Sequence, residues 1–433
     1  MNGEPVGIWS QGRTGRHRFV YDSAWVDSPR ARALSLSLPI VVTRTVEGPE
    51  VEYYFDNLLP DSGAIRKRLR ERFKAKSANA FELLGAIGRE CVGAVQLLRP
   101  GDTPAGFDRL RHEPLSDADV ARILRGVTAK PGPGAHDDDD DFRLSLAGAQ
   151  EKTALLRLGE QWYRAMGATP TTHILKLPLG LVGGRRLDRT HSVENEWLCA
   201  QILDALGLPV ARTAIGQFED EKALVVERFD RRIMDQGRWI ARLPQEDFCQ
   251  ALGRPLAQKY ESDGGPGMAD CLKVLAGSEH ADRDRETFVS AQLVFWLLAA
   301  TDGHAKNFSL FLLPRDRYQL TPLYDVLSAW PVIGHGRNVS PLRKARLAMA
   351  VHGKNTHDRL SEIQTRHWRQ LALMTGGEAL WLALLALVER VEPALRRVES
   401  RLPPTFPART AAAIFAGMRA QLRLFHGGIA ALY

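Results

Sequence analysis

Thr301-Asp302-Gly303-His304-Ala305-Lys306-Asn307, followed by Tyr324-Asp325, is the stretch on which the reading of this chain turns. Asp302 and Asn307 are five residues apart, and Asp325 follows Asp302 by 23. A carboxylate, an amide and a second carboxylate so spaced match the base and the two magnesium ligands of a kinase catalytic loop. Phosphoryl transfer needs such a set. One carboxylate orients the attacking hydroxyl, and two oxygen ligands hold a metal that offsets charge on the transferred group. The stretch follows a strongly apolar helix predicted over 291–300 and precedes an apolar hairpin predicted over 309–313 and 318–321. A loop so placed projects from buried elements into a cleft. His304 has a hydrogen bond within the loop as its plain role, and Lys306 either meets a γ-phosphate or is solvated.

Working outward towards the N-terminus, the pattern is strand, turn, strand. Strands are predicted at 153–158 and 161–165 around Gly159-Glu160, with a third at 173–177 that carries Lys176. An ammonium flanked by Leu175, Leu177 and Pro178 is costly to bury without a partner, and a phosphate supplies one; the plain alternative is a snorkelling edge residue. Ser192 is expected to cap a helix over 193–206 that Gly207 ends. On it Glu196, or its neighbour Glu194, is placed to orient the lysine, unless both are solvated. A buried strand at 223–227 follows. Ahead of these elements, Ala147, Gly148, Ala149, Gln150, Glu151 and Lys152 lack the G-x-x-x-x-G-K-[ST] pattern, yet small residues let backbone N–H groups approach phosphates closely. A plain turn has the same composition. The order hairpin, strand lysine, acidic helix, hinge strand, then Asp302, Asn307 and Asp325 is that of a two-lobed kinase, with the nucleotide in the cleft.

The remaining chain sets the frame. Its 433 residues exceed one ordinary core, and 44% hydrophobic with 25% charged residues is an ordinary globular composition. Lys+Arg exceed Asp+Glu by 58 to 51, a modest excess that by itself decides nothing about nucleic acid. Cys91, Cys199, Cys249 and Cys271 form no CxxC pair, so neither a zinc site nor a disulfide framework is expected, and a cytoplasmic location is the natural reading. No secretory segment opens the chain, and the longest apolar run, 379–388, is far short of the roughly 20 residues of a membrane span. The first hundred residues read as a small mixed α/β unit, with strands at 18–21 and 34–39 and helices at 62–73 and 81–87. Met1-Asn2-Gly3 reads as a hairpin turn lacking its first strand, so that either the start lies upstream or the sheet has lost an edge. Pro131 to Gly134 and the five aspartates at 137–141 read as a solvated loop. The region 356–433 reads as a helical bundle punctuated by Pro403-Pro404. Four segments are expected: an N-terminal subdomain at 1–105, a linker and variable loop at 106–142, a part resembling a kinase N-lobe at 143–240, and a helical C-lobe at 241–433.

Several blocks resemble the HipA family of toxin kinases. They are Phe55-Asp-Asn-Leu-Leu-Pro-Asp61, Ser145-Leu-Ala-Gly-Ala-Gln-Glu-Lys-Thr-Ala-Leu-Leu156, Thr171-Thr-His-Ile-Leu-Lys-Leu-Pro178 and Val226-Glu-Arg-Phe-Asp-Arg231. Leu243-Pro-Gln-Glu-Asp-Phe-Cys249, Lys259-Tyr-Glu-Ser-Asp-Gly-Gly-Pro266, residues 302–308 and Pro322-Leu-Tyr-Asp325 complete the set, in order over nearly the whole chain. The resemblance implies an α+β, two-lobed, protein-kinase-like fold with a small N-terminal mixed α/β subdomain and a mainly helical C-terminal lobe. It implies a serine/threonine protein kinase using ATP and Mg2+, with glutamyl-tRNA synthetase as substrate, growth arrest and persistence as the outcome. A dimeric helix-turn-helix antitoxin and operator DNA are the implied partners; no membrane is.

By position, the resemblance makes Asp302 the catalytic base, and Asn307 and Asp325 the magnesium ligands. Residues 147–152, Lys176, Glu227, Arg228, Phe229, His304, Ala305, Lys306, Asn307, Tyr324 and Asp325 would touch ATP. Ser145 resembles an autophosphorylated serine, whose phosphate would eject the loop and switch the enzyme off. The aspartate run sits in a loop that varies in the family. Arg366, His367 and Arg369 either face operator DNA or form a solvated helix face, the plainer reading. The rival functions are a small-molecule kinase on the same scaffold and a non-catalytic co-repressor.

Overall fold

The computed structural model describes residues 1–102, 106–128, 145–184, 186–430 and 432. The turn at 131–134 and the aspartates at 137–141 lie outside the described residues, whereas 106–128 of the expected linker are described and hold the strand His112–Leu115 and the helix Asp117–Thr128. The chain divides into two compact units. One comprises Met1–Leu177, Gly216–Ala257 and Leu310–Tyr318; the other comprises Pro178–Ile215, Gln258–Ser309 and Gln319–Tyr433.

The first unit holds two cores. Strands Gly7–Gln11, His17–Tyr21 and Thr45–Glu47 form an antiparallel sheet in that order. Phe19 and Tyr21 alternate inward from it onto Val51, Tyr54 and Phe55 of the helix Pro49–Asp56 and Leu83, Leu84 and Ile87 of the helix Ala80–Ile87. Asn79 caps the latter by accepting from the Glu82 N–H, and Ser62 caps Gly63–Arg72 from Ile65, as Asx and hydroxyl caps do. A second sheet runs His112–Leu115, Gln161–Ala165, Lys152–Leu158, His173–Lys176, Glu221–Glu227, Thr213–Phe218. Its strands are rich in β-branched and apolar residues, and the helix Asp117–Thr128 closes a core around Leu155, Leu175 and Val225. Gly159, at φ 59°, makes the turn of the predicted hairpin.

The second unit is mainly helical. Ser192–Ala205, Ala281–Leu298, Thr365–Glu399 and Ala408–Ile429 pack around Trp296, Trp368 and Trp381, all fully buried. Ala281–Leu298 is apolar around its whole C-terminal half, which is the signature of a helix buried on all sides. It stops where Ala299 enters the left-handed region, at φ 50°.

Four expectations are corrected. The alternation at 34–39 is a turn, not a strand: the Ser35 hydroxyl bonds Glu246, and Leu38 N–H donates to Ser35 O at 3.0 Å, so local side-chain bonds replace a ladder. Ser192 is the first helical residue, not the cap; its hydroxyl accepts the Leu179 N–H at 2.9 Å. The region after 356 opens on a strand, Thr356–Arg359, paired with Arg346–His352, which sequence reading missed. His367 is not on a solvated face; it is buried and stacked on His357 at 3.6 Å, and burial, His357 and Arg366 push its imidazole down to about 4. The apolar run 379–388 is only part of a longer helix, Thr365–Glu399. Among the described residues, this helix alone is long and apolar enough to cross a membrane by length and composition. Its apolar face packs on Ala281–Leu298 and Ala408–Ile429, and Gly377 breaks its backbone at φ 67°, as expected of a core helix.

Candidate active site

In the first unit, the 147–152 loop and Lys176 come together through the sheet. Lys152 opens its strand directly opposite Lys176. Residues so paired share a face and lie about 5 Å apart, and like charges there repel. Lys176 is buried. Gly148 stands at φ 107°, and a β-carbon on it would come within 2.5 Å of Lys152 Nζ. The lysine tip can move aside, so it is the backbone conformation that calls for glycine here. Gln150 Nε2 donates to Leu177 O at 2.6 Å, and Leu177 N–H donates to Glu151 O at 3.1 Å, closing the loop against the lysine strand. Glu151 is paired with Arg68. Ala147 and Ala149 are partly open to solvent.

Ser145 is fully buried. Its hydroxyl donates to Leu58 O at 2.9 Å, its N–H donates to Glu90 O at 2.8 Å, and Gly148 O accepts from Asp61 N–H at 3.0 Å. The Phe55–Asp61 block is thus the seat of the loop.

Glu227 ends its strand opposite His173 and is exposed, while the Phe229 ring lies edge-on to Phe311 at 5.7 Å. Arg228 differs. Its guanidinium donates to Glu90 (3.2 Å), Thr171 (3.0 Å), Cys91 O (2.9 Å) and Asp230 (3.0 and 2.8 Å). All of its side-chain donors are engaged, and its N–H donates to Thr172 O at 2.9 Å, so neither serves a ligand. Arg231 and Arg242 also bind Glu90, at 3.0 and 2.6 Å. Burial works against the Glu90 charge, but Arg242, Arg231 and Arg228 override it and hold the carboxyl far below the usual range.

In the second unit, Asp302, His304, Asn307 and Tyr324 are brought together. The carbonyl of Asp302 accepts from His304 N–H at 2.9 Å and from Asn307 Nδ2 at 2.7 Å. The amide is thereby oriented, with Oδ1 turned away from the loop backbone. The Asp302 carboxylate is 51% exposed, receives the Tyr260 hydroxyl and lies 3.9 Å from His304 Nε2. His304 stands edge-on to Tyr260 at 4.8 Å. Gly303 is required: a β-carbon there would meet the Phe295 ring at 2.5 Å. His304, Lys306 and Asn307 are buried, and Ala305 completely so, leaving only main chain at that position.

Tyr324 donates to Lys306 O at 2.9 Å and accepts from Ser309 Oγ at 2.5 Å, tying the loop to the residue before Asp325. Asp325 sits at φ 60°, a strained region for a non-glycine residue, and is pinned on both sides. Leu323 N–H donates to Pro209 O at 2.8 Å, and Ser328 exchanges two 2.8 Å bonds with Asn195 of the helix Ser192–Ala205. Glu194 and Glu196 flank Asn195 and are both buried, so neither is the solvated acid of the plain reading.

Tyr260 and Glu90 escaped sequence reasoning, because neither belongs to a spacing pattern. The signal for Tyr260 was the Gly264-Gly265 pair four residues on. Gly264 is at φ 83°, and a β-carbon on Gly265 would fall 1.9 Å from Gln258 O. The tight turn therefore aims Tyr260. Among the described residues, no group of three or more His, Cys, Asp or Glu forms a ready metal site. One oriented amide and one carboxylate instead fit a magnesium ion that keeps phosphate and water oxygens as its other ligands.

A family model described as the HipA N-terminal domain matches residues 1–98, and one described as the HipA-like C-terminal domain matches residues 144–405. The chain is 32% identical to a putative kinase Y4mE of Sinorhizobium fredii, over 87% of this chain and 84% of that protein. It is 30% identical to a serine/threonine-protein kinase toxin HipA of Shewanella oneidensis, over 68% of this chain and 66% of that protein. Among solved structures it resembles HipA of Shewanella oneidensis in complex with HipB and operator DNA. The TM-score is 0.78 and the identity 24%, covering 98% of this chain and 95% of that one. That likeness shows the two-lobed, kinase-like α+β fold. With family models matching well over half of its length, this chain belongs to the HipA family.

Proposed function

We propose that this protein is an ATP- and magnesium-dependent serine/threonine protein kinase that acts as the toxin of a toxin–antitoxin pair in the cytoplasm. The observation that carries the reading is the 302–307 loop, where an accessible carboxylate and an oriented amide share one rigid turn. Asp302 would take the proton of the attacking hydroxyl, with the Tyr260 hydroxyl holding the carboxylate in place. Asn307 Oδ1 and Asp325 would hold the magnesium ion, which neutralises charge on the triphosphate. Lys152, Lys176 and the main-chain N–H groups of 147–151 would bind the phosphates, and the main chain of 227–229 the adenine. His304, Ala305, Lys306 and Tyr324 would complete the nucleotide contacts.

The acceptor would be a hydroxyl of a translation component, with glutamyl-tRNA synthetase as the expected substrate. Ser145 would be a second acceptor. Because its hydroxyl is buried against Leu58 O, phosphorylation requires the loop to leave its seat, and a dianion could not return there. A helix-turn-helix antitoxin, as a dimer on operator DNA, would be the partner, in line with the complex formed by the Shewanella relative. The expected segments at 1–105, 106–142, 143–240 and 241–433 would divide these tasks.

The test is a radiolabelled-ATP assay against purified aminoacyl-tRNA synthetases. Label on a synthetase and on Ser145, both lost in Asp302→Asn, supports the reading. Label on small metabolites alone would point to a small-molecule kinase, and full growth arrest by Asp302→Asn would point to a non-catalytic repressor.

A further inference from the structure

The second unit contains a cavity of about 540 Å3 that none of the residues assigned above lines. Three segments build it: the turn 188–195, the segment 327–339 and the start of the helix Ala408–Ile429. Each brings one arginine, Arg189, Arg337 and Arg409. Among the described residues, none of these guanidiniums has a hydrogen bond or an ion pair within 4.0 Å. Asp188 is the one carboxylate on the wall, and its Oδ1 is taken by the Thr190 N–H at 3.1 Å and hydroxyl at 2.7 Å. Three cations therefore outnumber the one anion, whose charge already acts on Arg409.

Two further observations point the same way. Thr410 is 5% exposed and lines the cavity, yet its hydroxyl has no hydrogen-bond partner among the described residues. The hydroxyl is not wholly shut off from solvent, so it is available to a ligand oxygen in the cavity. The helices Ser192–Ala205 and Ala408–Ile429 also both begin at this wall, and neither has a side-chain cap, so their first N–H groups and positive dipole ends are available to an anion. The floor is rigid, since Asn195 and Ser328 hold each other by the two bonds described above.

We infer that this cavity is a binding site for a phosphomonoester, separate from the nucleotide site. Planar guanidinium forks arriving from three segments suit a tetrahedral dianion. The volume lies within the roughly 300–1,000 Å3 of small-molecule pockets, so it admits an organic group beyond the phosphate. A nucleic-acid backbone offers singly charged diesters along an open track, whereas these cations line one cavity.

Isothermal titration of the full chain with inorganic phosphate and with O-phosphoserine tests the assignment. Saturable binding is expected, weakened at least about 10-fold by the double variant Arg189→Ala/Arg409→Ala and several-fold by the near-isosteric Thr410→Val, but unchanged by Lys176→Met. Tighter binding of O-phosphoserine identifies a phosphorylated molecule as the ligand, and equal binding identifies free phosphate; either supports the site. Thr410→Val with an unchanged melting temperature keeps the result independent of folding. No saturable binding, loss in Lys176→Met alone, or preference for a single-stranded oligonucleotide that the double variant abolishes would overturn the inference.

Discussion

Glu90 in the first unit and Asp302 in the second are handled in opposite ways. Glu90 is buried among Arg228, Arg231 and Arg242, and every nearby charge is consumed inside the protein. Asp302 keeps half of its side chain open and is steadied by one tyrosine hydroxyl. The difference teaches what each carboxylate is for. A charge matched on all sides holds a structure together and is inert; a charge held in place but left accessible has chemistry to offer. Glu90 is nonetheless a junction, since its main-chain oxygen holds Ser145 while its carboxylate holds the arginines of the hinge segment.

The comparison breaks most visibly at Asp302. Asp302→Asn should lower kcat by roughly 10²–10⁴-fold, measured by phosphate transfer, while the unfolding midpoint in urea stays put. Equal loss of stability would make Asp302 a structural residue like Glu90. Glu90→Ala should do the reverse and destabilise the protein by about 3–5 kcal/mol, because three buried guanidiniums lose their counter-charge. Urea titration measures this, and faster proteolysis after residue 145 would report release of the Ser145 segment.

Glu246 sharpens the contrast through pH. Burial pushes its carboxyl up to about 8, against the bonds from Ser35 and Leu36 that favour the charged form. An acid raised on folding binds its proton more tightly in the native state. Its contribution is therefore complete below about pH 4.5, the value of the exposed group, and is lost as pH rises through about 8. The slope is on the order of 1.4 kcal/mol per pH unit within that window. Glu246→Gln should flatten it in urea titrations between pH 5 and 8; an unchanged slope would assign the loss to other groups. The Glu90 contribution has the opposite sign, being present above about pH 4.5 and lost as acid reaches its depressed folded value. Smallest of all, Tyr260→Phe removes one bond to an accessible carboxylate and should cost about 1 kcal/mol of transition-state stabilisation, near fivefold in kcat. No change in kcat would leave Tyr260 as packing for His304.

Much of the fold was legible because periodicity and turn chemistry are local. The Lys152–Leu158 and Gln161–Ala165 hairpin, the Lys176 strand and the helices capped by Ser62 and Asn79 all announce themselves within a few residues. Residues 34–39 misled because a period-two pattern can also arise where serine hydroxyls bond a distant carboxylate. The strand pair Arg346–His352 and Thr356–Arg359 was missed, since its register carries an irregularity that blurs alternation.

By itself the sequence nominated a candidate set, Asp302, Asn307, Asp325, Lys152 and Lys176, and pointed to the family to which the chain belongs, because residue type and spacing are written in one dimension. Only the tertiary structure decided how each group is held. It turned Arg228 from a ligand candidate into the partner of Glu90, buried Ser145 under Leu58, and added Tyr260 to the loop of Asp302. It also gathered Arg189, Arg337 and Arg409 around one cavity. Hydrogen bonding joins residues up to 283 positions apart, and no local pattern records which of them will meet.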